Sequence, residues 1–271
     1  MGVTTKAVIL ARGLGSRMRR DDGAARLDAE QARVADAGMK AMIPIGRPFL
    51  DHAMSALADA GITEICLVIG PEHDAIRAYY ASIPLTRIHV AFAVQPVPDG
   101  TAGAVAAAES FADGDTVLVM NGDNYYPAEA CRALAQVDAS GVVGFDLDGL
   151  VSRSNIPEER VRLFALLQQD DAGNLTNIVE KPDAATYAAL VTHSKVSMNL
   201  WSFSPVIYDA CRRTRPSVRG ELELQDSVRI AMHELGEVFR VIPSSDGVLD
   251  LSSRGDIESV AAVLAHRAVT L

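Results

Sequence analysis

The feature that most restricts this chain is an alternation, across its first 120 residues, of short uninterrupted apolar runs with Ala-rich stretches of helical spacing. Lys6–Ala11, Ile65–Ile69, Ile88–Val94 and Thr116–Met120 read as strands. Asp51–Ala60, Glu72–Ala81 and Thr101–Phe111 read as helices between them, with Gly61 as a stop for the first. Strands apolar throughout cannot leave a face in water, so the pattern demands a parallel sheet covered by helices on both sides. The expected fold class is α/β: a Rossmann-like, doubly wound sheet that gathers ligands at the carboxyl ends of its strands.

Beyond about residue 145 the pattern changes. Arg162–Gln168 and Asn174–Val179 flank the acidic turn 170–173 and read as a hairpin. A helix at Ala184–Val191, a strand at Lys195–Phe203, helices near 204–213 and 222–235, a strand at Glu237–Ile242 and a last helix from about Gly255 to the terminus follow. The sheet is therefore expected to be mixed, mainly parallel, with a β-lobe added to the first half. At 271 residues, with no linker rich in Gly, Ser or Pro, the chain reads as a single domain over 1–271, with halves of about 1–145 and 146–271. The charged, Ala-rich segment Arg19–Gly38 reads as a short helix or lid.

Composition excludes several classes of function. The longest apolar runs fall far short of the roughly 20 residues a membrane span needs. The N-terminus lacks a cleavable signal layout, so a cytoplasmic protein with no membrane partner is expected. A net charge of −10 repels polyanions at long range and argues against a nucleic-acid partner. Small phosphorylated ligands stay open, because clustered Arg and Lys reverse the field inside one cleft. Cys66, Cys131 and Cys211 are far apart, lack metal-ligand spacing and read as buried free thiols.

The first strand runs directly into Leu10-Ala11-Arg12-Gly13-Leu14-Gly15-Ser16-Arg17-Met18. Glycines here let the backbone approach a ligand and turn N–H groups toward an anion, with Arg17 adding charge. A dinucleotide fingerprint would need a third glycine where Met18 stands and an acid ending the second strand; a Walker loop would need Gly-Lys-Ser/Thr. Neither is present. What remains is a loop holding a nucleoside triphosphate beside an arginine, or a plain strand–turn with surface arginines.

The loop has company: Met39-Lys40, then Gln95-Pro96-Val97-Pro98-Asp99-Gly100-Thr101-Ala102-Gly103, Asn121-Gly122-Asp123, Glu180-Lys181-Pro182 and Leu249-Asp250-Leu251-Ser252-Ser253-Arg254. In this order, over roughly residues 5 to 260, they resemble the sugar-1-phosphate nucleotidyltransferases, which join a sugar 1-phosphate to a nucleoside triphosphate (NTP). The resemblance implies a nucleotide-diphospho-sugar transferase fold, with a nucleotide-binding first half and a sugar-phosphate-binding second half. It implies Arg17 and Lys40 as catalytic cations and Asp123 and Asp250 as ligands of Mg2+. Leu10, Ala11, Gly13, Gly15, Ser16, Gln95, Gly100, Thr101 and Gly122 would bind the nucleotide; Glu180, Lys181, Asn199 and Trp201 would bind the sugar phosphate.

Each residue also has a plainer reading. Asp123 suits a turn or cap before Pro127, Asp250 a helix start, Gln95 a solvated strand end and Trp201 core packing. The chain departs from the family pattern at Met39 (usually Pro), Arg12 (usually small), Ser252-Ser253 (often Gly-Thr), and Ser197, Asn199 and Trp201 (usually Asn, Gly and Tyr). Arg12 would extend the phosphate grip or, the preferred reading, point to solvent. UTP or dTTP is favoured as donor, with CTP or GTP, or a non-catalytic nucleotide-sugar sensor, as alternatives. The resemblance leaves a homo-oligomer, dimer or tetramer, open.

Overall fold

The computed structural model describes residues 3–13, 15–20, 22, 25–137 and 139–271. Leu14 and residues 21, 23 and 24 of the charged segment lie outside them. β1 (Lys6–Leu10) leads to the short helix α1 (Ser16–Arg19) and to α2 (Ala29–Asp36). One 3-10 turn, Lys40–Met42, precedes a small ribbon of β2 (Pro44–Ile45) and β3 (Arg47–Pro48), then α3 (Phe49–Asp59). β4 (Glu64–Ile69), α4 (Asp74–Ser82), β5 (His89–Val94), α5 (Thr101–Ala107), α6 (Glu109–Ala112) and β6 (Val117–Asn121) complete the alternating half.

β7 (Asn124–Tyr125), α7 (Ala128–Ala135), β8 (Gly141–Phe145), α8 (Leu147–Arg153) and α9 (Glu158–Val161) come next. The chain continues through β9 (Leu166–Gln169), β10 (Leu175–Val179), α10 (Ala184–Leu190), β11 (Lys195–Phe203), α11 (Val206–Arg213) and α12 (Leu224–His233). β12 (Arg240–Ser244), β13 (Leu249–Asp250) and α13 (Asp256–Leu264) follow.

The main sheet is mixed, in the order β10-β9-β11-β6-β1-β4-β5, with β8 beside β11 and β12 beside β8. β6, β1, β4 and β5 run parallel, as continuous apolar strands require. β11 is antiparallel to β6, β8 and β9 and so joins the two halves into one sheet. Side chains alternate across β1: Ala7 and Ile9 face a core with Leu50, Met54 and Leu57 of α3, while Val8 faces one with α5, α11 and α12. A third apolar cluster lies outside the two sheet faces. Met18, Val34, Ile43, Phe49, Leu251 and Ile257 fasten α1, α2, the Lys40 turn and β13 to one another.

Several boundaries differ from expectation. The helix expected over Thr101–Phe111 breaks at Ala108 into α5 and α6. The first hairpin strand begins at Leu166, because the N–H groups of Arg162, Leu163 and Phe164 bond back to Glu158, Arg160 and Val161 as turns continuing α9. The strand expected from Glu237 begins at Arg240, and the last helix stops at Leu264, short of the terminus. In the charged segment, α2 starts at a capping box in which Asp28 accepts from the Gln31 N–H at 2.8 Å and Gln31 accepts from the Asp28 N–H at 3.2 Å. The three cysteines are free and buried, and burial pushes Cys66 and Cys131 up to about 12. Among the described residues no helix is long and apolar enough to cross a membrane.

Candidate active site

β4 follows β1 on one side of the sheet and β6 flanks it on the other, so the β1–β6 boundary is the topological switch point. Pairing runs one residue past each strand: the Ala11 N–H donates to the Val68 carbonyl (2.9 Å) and the Gly122 N–H to that of Leu10 (3.0 Å). This approach needs glycine, since a Cβ at residue 122 would stand 2.8 Å from the Leu10 oxygen. Gly15, at φ +61°, presses the loop against Gly38; a Cβ there would lie 2.2 Å from the Gly38 oxygen. That contact brings the Lys40 turn over Gly13. The Lys40 ammonium reaches across to pair with the Asp123 carboxylate at the end of β6.

Arg17 stands exposed on α1 with no side-chain partner among the described residues. Its helix is held from the far end of the chain. The buried Arg254 donates from Nε to the Met18 carbonyl at 2.9 Å and pairs with Asp36. Arg254 follows β13, which pairs antiparallel with β7 so that Asp250 lies opposite Asn124, while the Leu251 N–H donates to the Asp123 carbonyl at 2.8 Å. The two aspartates thus converge from residues 127 positions apart in sequence.

The Asp250 carboxylate accepts from Ser252 Oγ (2.8 Å) and Asn124 Nδ2 (3.2 Å) and pairs with Arg160, which also reaches Asp256 at 3.0 Å. Burial, and next the charge of Asp123, raise its pKa above the ordinary carboxylate value against the pull of Arg160 and Ser252. The two carboxylates, paired here with Lys40 and Arg160, offer the hard oxygen donors a divalent cation takes.

A cavity of about 390 Å³ opens here, lined by Leu10, Ala11, Gly13, Gly15, Ser16, Arg17, Lys40, Gln95, Gly100, Thr101, Gly122 and Asp123, with Arg12 and His73 beside them. Gln95 is buried; its Nε2 donates to Asp99 Oδ1 (2.8 Å) and the Gly100 carbonyl (2.9 Å). Thr101 Oγ1 accepts from the Leu224 N–H at 3.0 Å, tying the start of α5 to the start of α12.

Glu180, Lys181, Asn199 and Trp201 do not line this cavity. The register Trp201↔Val119 nevertheless sets Asn199 alongside the carboxyl end of β6, at a register shift in β11. Asn199 adopts φ +58°, and its Oδ1 accepts from Gln225 Nε2 (3.1 Å) and Trp201 Nε1 (3.5 Å), which leaves Nδ2 to donate elsewhere. Glu180 and Lys181 are exposed just after β10, Lys181 at φ +42°.

Two expectations are corrected. Trp201 is 1% exposed, stacked on Phe203 at 5.6 Å and edge-on to Phe239 at 6.1 Å, so its ring has no face to offer a sugar. Arg12 does not point to solvent: it is 8% exposed, and its guanidinium meets the Gln95 carbonyl and Glu72. Arg160 and Gln225 went unnoticed in the sequence, since an Arg or Gln in a polar stretch reads as a solvated side chain.

The family described as nucleotidyl transferase matches residues 34–251. The low-salt glycan biosynthesis nucleotidyltransferase Agl11 of Haloferax volcanii is 29% identical over 232 residues, covering 84% of this chain and 57% of that protein. A glucose-1-phosphate thymidylyltransferase of Streptomyces griseus is 26% identical over 228 residues, 83% of this chain and 56% of its own. For the UTP–glucose-1-phosphate uridylyltransferase AglF of H. volcanii the figures are 24% over 233 residues, and 82% of each chain. The chain therefore spans little more than half the length of the first two. A UDP-glucose pyrophosphorylase solved with UDP-glucose shares the fold, with a TM-score of 0.72 at 16% identity over 97% of this chain and all of the other.

Proposed function

Because the chain belongs to the nucleotidyl transferase family, we propose that it joins a sugar 1-phosphate to UTP or dTTP and releases pyrophosphate. The observation that carries this reading is the meeting, at the β1–β6 switch point, of the exposed Arg17, the Lys40–Asp123 pair and Asp250. A phosphate oxygen of the sugar attacks the α-phosphorus in line. The new P–O bond forms as the α–β bridge breaks, and its electron pair leaves on pyrophosphate. The nucleophile is already an oxyanion and needs no general base. The obstacles are repulsion between two anions and charge growing on the transferring phosphate, which fixed cations and alignment relieve.

Backbone N–H groups of Arg12, Gly13, Gly15 and Ser16 cradle the phosphates, Arg17 grips the β and γ groups, and Lys40 neutralises charge near the attacked centre. Gln95 and the Gly100–Thr101 turn take the base, with Leu10 and Gly122 shaping its floor. Glu180 accepts from sugar hydroxyls, Lys181 meets the sugar phosphate and Asn199 donates from Nδ2. Asp123 and Asp250 would hold Mg2+, which when bound neutralises phosphate oxygens. The names of the thymidylyl- and uridylyltransferase relatives, with the Pro96-Val97-Pro98-Asp99-Gly100 turn, support a pyrimidine donor. A cytoplasmic dimer or tetramer is the corresponding assembly.

The test is pyrophosphate release, with UTP, dTTP, CTP, GTP and ATP each set against a panel of sugar 1-phosphates. Release with UTP or dTTP that requires Mg2+ is expected. Nucleotide-sugar binding without release in any pairing would make the protein a sensor instead.

A further inference from the structure

Arg12 occupies an unusual place for a long cation in a phosphate-facing loop. It does not join Arg17 but folds to the opposite side of the cavity, under the ends of β4 and β5. There Nη1 donates to the Gln95 carbonyl oxygen, while Nε and Nη2 lie 3.4 and 3.5 Å from the two oxygens of Glu72. A guanidinium has five N–H groups and no acceptor. Three point at these partners, so one on Nη1 and one on Nη2 remain, on a side chain that lines the cavity.

Gln95 beside it is equally constrained. Both contacts of its amide nitrogen, Asp99 Oδ1 and the Gly100 carbonyl, are acceptors, so the nitrogen must face them. Its Oε1 is left as the atom able to meet a ligand. Arg12, bonded to the Gln95 main chain, and the Gln95 side chain therefore offer the same cavity a donor and an acceptor.

We infer that Arg12 selects the nucleobase, pairing with a ring oxo group while Gln95 Oε1 accepts the neighbouring ring N–H. This rests on the reading of the cavity as a triphosphate site. Uracil and thymine carry that oxo/N–H pair, and guanine carries it too. Cytosine or adenine held in the same pose puts an amino group and a bare ring nitrogen at these two positions, which sets donor against donor and acceptor against acceptor. Unpaired polar groups in a buried site are what make such discrimination large. The donor class is thus a triphosphate of an oxo base, with Arg12 as a specificity-determining residue.

The experiment compares kcat/KM for UTP and CTP in the native protein, Arg12→Met and Glu72→Gln, with titration of UMP and CMP by calorimetry alongside. The native protein should favour the uracil nucleotide by about 100-fold or more. Arg12→Met should shrink that ratio about tenfold without changing KM for the sugar phosphate. Glu72→Gln, at an exposed position, should shrink it by a smaller factor because the guanidinium is less firmly aimed.

A folded Arg12→Met with the native ratio would overturn the inference, and so would a native preference for CMP. Should Arg12→Met fail to fold, an unchanged ratio in Glu72→Gln overturns it. Absence of pyrophosphate release with every triphosphate defeats the proposed reaction instead; the UMP/CMP titrations then still decide the role of Arg12.

Discussion

On the proposed reading, the nucleotide end of the site is shaped mainly by main-chain contacts, whereas the acceptor end is shaped by side chains held by other side chains. The loop after β1 and the turn after β6 owe their shape to close main-chain contacts at Gly15 and Gly122. Asn199 instead owes its orientation to Gln225 and Trp201. A triphosphate offers the same oxygens whatever its base, so main-chain donors suffice for it. A sugar differs from its neighbours by single hydroxyls, and exchangeable side chains can follow such differences. The departures at Ser197, Asn199 and Trp201 fall on the acceptor side; Arg12 and Met39 are departures on the nucleotide side, and Arg12 is the one beside Gln95.

If that division holds, the largest effect belongs to the charges on the backbone-built end. Arg17→Ala and Lys40→Ala should each lower pyrophosphate release several hundredfold, about 3–4 kcal/mol, with an intact thermal transition. Comparable losses from every acceptor-end variant would erase the distinction. Arg254→Ala comes next. It removes a buried guanidinium from the Met18 carbonyl and Asp36 and should cost about 2–3 kcal/mol by denaturant titration, with a raised KM for the triphosphate and part recovered by Arg254→Lys.

Gln225→Ala and Trp201→Phe each delete one donor to Asn199, the second at some cost in core packing, and should raise KM for the sugar phosphate about tenfold with KM for the triphosphate unchanged. A shift in both constants would mean that the ends are not separable. The smallest effect concerns His52 under the nucleotide half, whose pKa burial pushes below its ordinary value. The unfolded chain takes a proton near pH 6.5 that the native ring refuses, so stability falls as pH drops below that point, by at most about 1.4 kcal/mol per unit. Melting curves at pH 7.5 and 5.5 would register it, and His52→Gln should flatten the slope.

The alternating half was legible because its strands are continuous apolar runs bounded by glycine or polar loops, and β11 matches its expected span of Lys195–Phe203. β8 was not: Gly141-Val142-Val143-Gly144-Phe145 has too few side chains to show a period, and only its neighbours β11 and β12 make it a strand. The loop, Lys40 and Asp123 could be found because they abut strand ends. Arg12 could not be placed, since its reach to a carbonyl 83 residues away depends on how β1 and β5 are spaced. Trp201 was ambiguous for a physical reason, as one large ring serves a core or a sugar equally well, and only its neighbours Phe203 and Phe239 decide.

The antiparallel rung between β7 and β13 has a consequence for how the protein comes into being. A ribosome that has delivered the first 145 residues has already made the glycine loop, Lys40 and Asp123, yet the second acid and the guanidinium that braces α1 are still about a hundred codons away. On the proposed reading the emerging half would be chemically mute until β13 and the residues just after it have been translated.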